Sequence, residues 1–209
     1  MGLPAESKGT HMSRFIELLE ASEGEIDSAR FIEMGMKMLA RLGAVSGQLE
    51  VKFPYFIRKT APVSGVQSLL DLEVTWRADL SVASRAAFSM GVVVAATSLC
   101  PCSKEISAYG AHNQRSHITI DAQIDGDMSI EELVAIAEQS ASCEVYGLLK
   151  RADEKYVTER AYDNPRFVED LVREVAVQLK EDRRVKSFWI EVENFESIHN
   201  HSAVARVLG

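Results

Sequence analysis

A chain of 209 residues, 46% hydrophobic and 26% charged, has the composition of a folded globular protein and the length for one large domain or two small ones. Its formal net charge of −8 excludes generic binding to a nucleic-acid backbone or an anionic membrane, though not a small anion held in a local basic pocket. No apolar run is long enough to span a membrane, the N-terminus lacks the apolar region of a secretory signal, and the three cysteines are an odd count, so a cytoplasmic protein with working thiols is expected.

The first elements are helical. "SRFIELLEA" puts Phe15, Ile16, Leu18 and Leu19 on one face, and "SARFIEMGMKMLARLG" continues helical spacing to Gly43, a C-cap. Three strand runs follow: "GQLEVKFPYFIRK", "VQSLLDLEVTWRADL" and the more uniformly apolar "AFSMGVVVAATSL". After the cysteine-rich stretch, "RSHITIDAQID" alternates, with Ile118, Ile120, Ala122 and Ile124 on one side. A helix is expected from about Ser129 to Tyr146, opened by a capping box of Ser129 and Glu132. Another is expected from about Pro165, in its first turn, to Glu181. "RVKSFWIEVENFE" and "SAVARVLG" read as the last strands. The second half thus reads ββααββ and the first ααββ, as if opening strands were absent. The expected class is α+β, built from two related modules over residues 1–96 and 97–209 and packed as one unit.

The stretch "TSLCPCSKEISAYGAHNQRSH" gathers Cys100, Cys102, His112 and His117. Cys100 and Cys102 are too close in sequence to bridge each other; if extended, they project to one face, as His199 and His201 do in "IHNH". Carboxylates cluster from Asp153 to Asp170, including Glu154, Glu159, Asp163 and Glu169. Thiolate, imidazole and carboxylate together suit Zn²⁺ or Fe²⁺, with a catalytic site using three protein ligands and one water. Carboxylates among lysines and arginines also make an ordinary solvated face. Cys143 reads as a small buried hydrophobe and His117 as a hydrogen-bonded surface or core residue. The Walker loop, G-x-G-x-x-G and G-x-S-x-G are all absent.

Four blocks in order, "KGTHMSRF", "TSLCPCSKEIS" with "YGAHNQRS", "DEKYVTERAYDNPRFVEDLVR" and "ENFESIHNHSA", closely resemble the type IB GTP cyclohydrolase I family. The resemblance runs from Gly9 to about Ala203; Ala152 stands where the family often has proline. It implies a tunnelling fold assembled from ββααββ modules, typically as a homotetramer with active sites between subunits. It also implies conversion of GTP to 7,8-dihydroneopterin triphosphate and formate with one divalent metal per site (zinc, iron or manganese). By position, Cys100, His112 and Glu154 resemble the metal ligands and Glu169 a further carboxylate at the metal. Cys102, His199 and His201 resemble proton-transfer groups, and Glu196 the glutamate that anchors the purine edge. That last role is chemically apt, since guanine N1–H and N2–H₂ are two donors that one carboxylate accepts.

In the implied reaction a metal-activated water attacks C8 while a histidine protonates N7. The triphosphate requires local cations, for which Lys8, Arg14, Lys104, Arg115, Lys150 and Arg151 flank the motif blocks. Two alternatives are another purine or pterin reaction on the same fold, such as the archaeal-type cyclohydrolase that forms a cyclic phosphate, and a non-catalytic metal-binding protein. The full set from Cys100 to His201 favours an enzyme, and the mixed donors are unlike a closed structural zinc site.

Overall fold

The computed structural model describes residues 1–2, 13–22 and 24–209; Lys8 and His11 lie outside them. In chain order the elements are α1 (Ser13–Glu20), α2 (Ser28–Leu42), β1 (Ser46–Thr60), β2 (Gln67–Ser81), β3 (Ala87–Leu99), α3 (Pro101–Ile106) and β4 (Asn113–Ile124). They continue with α4 (Ile130–Ser140), β5 (Cys143–Glu144), α5 (Arg151–Asp163), α6 (Val168–Glu181), β6 (Val185–Asn194) and β7 (Ala203–Leu208). One seven-stranded sheet has the order β1-β2-β3-β4-β6-β7, with β5 pairing β3. The pairs β3/β5, β4/β6 and β6/β7 are antiparallel, so the chain is of mixed α+β class.

Two compact units divide the chain: Met1–Lys52 with Thr75–Ser89, and Phe53–Val74 with Met90–Gly209. In the first, α2 buries Phe31, Met34, Gly35, Met38, Leu39 and Leu42, the one-sided stripe its spacing predicts. Asp27 caps its start by accepting the Arg30 N–H, and Gly43 ends it in the left-handed region at φ 62°. Phe31, Trp76 and Phe88 meet edge to face with centroids 5.7–6.3 Å apart.

The second unit is built on β4 and β6. Every second residue of β4 from Gln114 to Ile124 is buried, and Ile118, Ile120 and Ala122 are fully so, as expected. Helix α6 covers β6 with Leu171, Val175 and Leu179, and α4 packs beside α6 through Leu133 and Ala137. The Ser129–Glu132 capping box forms as expected.

Several local expectations fail for tertiary reasons. The helix expected to reach Tyr146 stops at Ser140, because Cys143 and Glu144 pair with Thr97 and Ala96 of β3. The helix expected from Pro165 begins at Val168, because the backbone before it is drawn to the sheet; the Arg166 N–H donates to the Leu99 carbonyl at 3.0 Å. Helix α5 was not expected at all, since its buried residues are only Asp153 and Ala161 and it carries no apolar stripe.

Asp153 is fully buried and accepts four hydrogen bonds of 2.6–2.8 Å: from the Val63 and Ser64 N–H groups, the Ser64 hydroxyl and the Lys150 N–H. Burial raises its pKa, and the Ser64, Lys150 and Val63 donors outweigh that and hold it well below the ordinary range. The carboxylate thereby ties the β1–β2 turn to the start of α5.

Asp153→Asn turns an amide N–H₂ towards these donors and is expected to lower Tm by ~5 °C or more in calorimetry; an unchanged Tm would remove it as a tie. Glu132 has its pKa lowered by the Ser129 N–H and by Arg184, whose Nη2 lies 2.9 Å away. Its charge therefore stabilises the fold above its unfolded pKa of ~4.3, and that stabilisation disappears as pH falls through the lowered folded value. Glu132→Gln keeps the cap and loses the ion pair; urea unfolding is expected to show a deficit of at most about 1 kcal/mol at pH 7 that closes below pH ~4.

Candidate active site

At one end of β3, β4 and β6 the core-facing row turns from apolar to polar. Ser98, Ser116 and Asn194 are buried there; the Ser116 hydroxyl donates to Asn194 Oδ1 at 2.6 Å and meets the Ser98 hydroxyl at 2.8 Å. Two residues further along the three segments stand Cys100, Gln114 and Glu196. The ladders continue past the strand ends, with the Phe195 N–H donating to the Arg115 carbonyl at 2.9 Å and the Cys100 N–H to the His112 carbonyl at 3.0 Å. Cys100 and His112, twelve residues apart in sequence, are thus hydrogen-bonded neighbours through their backbones.

The segment after Cys100 is not extended. Cys100 is the N-cap of α3, its Sγ accepting the Ser103 N–H at 3.5 Å, and Pro101 opens the helix. The expected common face for Cys100 and Cys102 therefore fails; Cys102 is exposed on the helix while Cys100 is half-buried. The Ser103 hydroxyl accepts from the His112 N–H at 3.2 Å and braces the turn.

His112 Nδ1 lies 2.8 Å from Gln114 Oε1, and Gln114 Nε2 donates to Glu196 Oε1 at 3.5 Å. The His112 and Glu196 side chains are 12% and 13% exposed, with Nδ1 and Oε2 3.9 Å apart. His199 and His201 lie beyond β6 in a bend rather than a strand, yet their rings stack at 5.1 Å, so they share one side as expected.

The remaining sequence candidates stand apart. Glu154 is exposed in the first turn of α5, 3.4 Å from Arg151 Nη1, and Glu169 is exposed in the first turn of α6. Among the described residues no three of His, Cys, Asp or Glu come together closely enough to hold a metal ion. Lys104 Nζ donates to the Tyr162 carbonyl at 2.5 Å and lies 4.2 Å from that ring's centroid. Arg115 alternates to the opposite side of β4 from Gln114 and lines a cavity of about 230 Å³ with Asn113, Glu144 and Tyr146. Lys150 is the N-cap of α5, and Arg14, in the first unit, donates to the Arg41 carbonyl at 2.8 Å.

Two groups escaped the sequence reading. Gln114 lies inside the quoted "YGAHNQRS" block beside the candidates His112 and Arg115. Glu144 accepts from the Tyr146 hydroxyl at 2.6 Å and from Arg160 Nη1 at 3.0 Å beside the 230 Å³ cavity, and no sequence spacing announces that set. Burial raises the Glu144 pKa, but these donors prevail and lower it. Cys143, as expected, is a buried thiol, pushed up to about 11 chiefly by burial and then by the Glu144 charge.

A thiol, an imidazole and a carboxylate at the end of an antiparallel sheet define an α+β protein with a polar site set on its core face. Among solved structures the chain resembles a uricase from Arthrobacter globiformis, with a TM-score of 0.55 over 94% of this chain and 74% of that one at 8% identity. It also resembles a urate oxidase from Bacillus sp. TB-90, with a TM-score of 0.52 over 95% and 77% at 10% identity. At such identities the likeness concerns the fold alone. In sequence, a family model described as type I GTP cyclohydrolase FolE2 matches residues 1–205. GTP cyclohydrolase FolE2 1 of Dechloromonas aromatica (strain RCB) is 60% identical over 209 residues, covering 100% of this chain and 79% of the relative. GTP cyclohydrolase FolE2 of Azoarcus sp. (strain BH72) is 59% identical over 207 residues, covering 99% and 77%. The chain belongs to the type I GTP cyclohydrolase FolE2 family.

The thiols differ enough to test the site's exposure. In iodoacetamide labelling at neutral pH, Cys102 is expected to react and Cys143 to stay unmodified until the protein is unfolded. Equal labelling of the two in native protein would contradict this arrangement.

Proposed function

We propose that this chain catalyses the GTP cyclohydrolase I reaction, in which GTP and water yield 7,8-dihydroneopterin triphosphate and formate, on the route to folate and related pterins. The observation that carries this reading is His112 placed at the end of the sheet between a backbone bond to Cys100 and the Glu196 carboxylate 3.9 Å away, in a chain 60% identical to a named GTP cyclohydrolase. Two hydrolytic steps on the imidazole ring consume two waters, and closure of the opened ribose onto the pyrimidine amine returns one.

The donor chemistry suits a divalent ion such as Zn²⁺, Fe²⁺ or Mn²⁺ at Cys100 and His112, with Glu154 and Glu169 as the carboxylate partners. Such an ion supplies Lewis acidity that brings the pKa of water towards neutrality. Because the described residues bring no third ligand to Cys100 and His112, a site completed in an assembly of several copies accounts for the separation. This accords with a tunnelling-fold homotetramer with interfacial sites. A cytoplasmic location fits the biosynthetic role, and no described helix is long and apolar enough to cross a membrane.

The chain's own groups then divide the work. Glu196 accepts the N1–H and N2–H₂ edge of guanine. The stacked His199 and His201 pair delivers a proton to N7 as C8 is attacked and carries protons through the ribose rearrangement; Cys102, exposed beside Cys100, is a further proton carrier. Lys104 and Lys150 supply charge for the triphosphate, and Lys104 must leave Tyr162 to do so; Arg115 faces the opposite side of β4 and does not belong to this set.

Metal-free protein reloaded anaerobically in turn with Zn²⁺, Mn²⁺ and Fe²⁺ is expected to release formate and the dihydropterin triphosphate together. No formate with any metal, from folded and GTP-binding protein, would refute the reading. Cys100→Ala is expected to abolish turnover and weaken metal binding; a fully active, fully metallated variant would exclude its ligand role. Glu196→Gln turns an amide N–H₂ towards a donor edge, so GTP affinity is expected to fall ~10- to 100-fold, measurable by calorimetry on metal-free protein.

A further inference from the structure

Gln114 is 6% exposed, where His112 and Glu196 approach each other. Its amide has a donor end and an acceptor end, and the neighbours decide which faces which. The N–H₂ end faces the Glu196 carboxylate, with Nε2 3.5 Å from Oε1; the reverse would set oxygen against oxygen. The amide oxygen then faces His112 Nδ1 at 2.8 Å, which is a hydrogen bond only if Nδ1 carries the proton. A neutral His112 is thereby left with its lone pair on Nε2. Glu196 cannot do this directly, since its Oε2 is 3.9 Å from Nδ1, beyond hydrogen-bond range.

We propose that Gln114 is a positioning residue that sets both halves of the site at once. It holds His112 as the Nδ1–H tautomer with Nε2 free to ligate, and it turns the Glu196 carboxylate to the two-donor edge of the purine. The proposal rests on the reading of His112 as a metal ligand and Glu196 as the purine anchor. Imidazole ligands are commonly held in one tautomer by an acceptor on the second nitrogen, and losing that acceptor typically weakens metal binding ~10- to 100-fold. What is particular here is that the acceptor's other end faces the substrate-binding carboxylate, 3.5 Å from its oxygen. An apolar residue at 114 leaves both neighbours unpaired. A glutamate satisfies Nδ1–H and repels Glu196.

Two variants separate these effects. Zn²⁺ affinity is measured by competition with a chromophoric chelator in the absence of nucleotide, and GTP affinity by calorimetry on metal-free protein, so neither readout depends on turnover. Gln114→Met is expected to lose ~10- to 100-fold in Zn²⁺ affinity and to bind GTP at least ~10-fold more weakly. Gln114→Glu is expected to keep Zn²⁺ affinity within about threefold of the parent while losing GTP affinity as Gln114→Met does. Being equal in size to the native residue, it keeps the test decisive if Gln114→Met fails to fold. Parent-like binding of both probes by the folded variants would overturn the proposal, as would a Zn²⁺ loss in Gln114→Glu as large as in Gln114→Met. If Glu196→Gln itself leaves GTP affinity unchanged, the purine-anchor reading falls and takes the Glu196 half with it, while the Zn²⁺ comparison still decides the His112 half.

Discussion

The antiparallel register between β4 and β6 is the constraint from which the site follows. It pairs Ser116 with Asn194 and Ile118 with Val192, and runs in step to Gln123 opposite Ser187. Side chains alternate every residue, so a slip of β4 by one would turn Ile118, Ile120 and Ala122 out of the core, and a slip of β6 would do the same to Ile190 and Val192. The burial of those residues therefore locks the pairing. The same pairing, carried past the strand ends, brings Gln114 beside Glu196. The site's geometry is inherited from core packing several residues away, and a rigid sheet end is a suitable place for groups that must hold their orientation.

Around this sheet, buried polar ties decide where the helices stop and start. Asp153 gathers backbone and hydroxyl donors from the β1–β2 turn and the start of α5. Lys59 of β1 meets Glu138 of α4 at 2.6 Å, both little exposed, and burial raises the Glu138 pKa against the pull of Lys59. Glu144 holds Tyr146 and Arg160 in the same region. Such groups are costly to desolvate, and their value here lies in specifying one arrangement of α4, β5 and α5. Gly147 belongs to that arrangement, since a Cβ there would lie 2.6 Å from the Leu69 carbonyl oxygen.

Elements with a one-sided apolar pattern were legible from the residues: α2 with its Gly43 end, the alternating β4, and α4 with its capping box. Helix α5 was not, because the residues it buries, Asp153 and Ala161, make no stripe. The far end of α4 is not legible, because "SASCEVY" has acceptable helix formers and nothing local records its pairing with β3. Cys100 and Cys102 fit a strand pair as well as a helix start, because Pro101 serves an extended segment and a first helical turn equally well.

Cys100, His112, Glu196 and the two late histidines stand out in the sequence by residue type and by the blocks that hold them, because few side chains carry a thiol, an imidazole or a carboxylate. Family membership was legible for the same reason, the blocks being specific and in order. Gln114 had no such mark, since a glutamine on a strand is ordinary until its neighbours are known. Sequence alone determined which side chains were available and which faces of the regular elements were apolar, because both are local properties of residue type and spacing. Only the tertiary structure decided that His112, Gln114 and Glu196 touch, that Arg115 turns to the other side of β4, and that Glu154 and Glu169 stand at separate helix starts, because strand register and helix ends are set by contacts between residues distant in the chain.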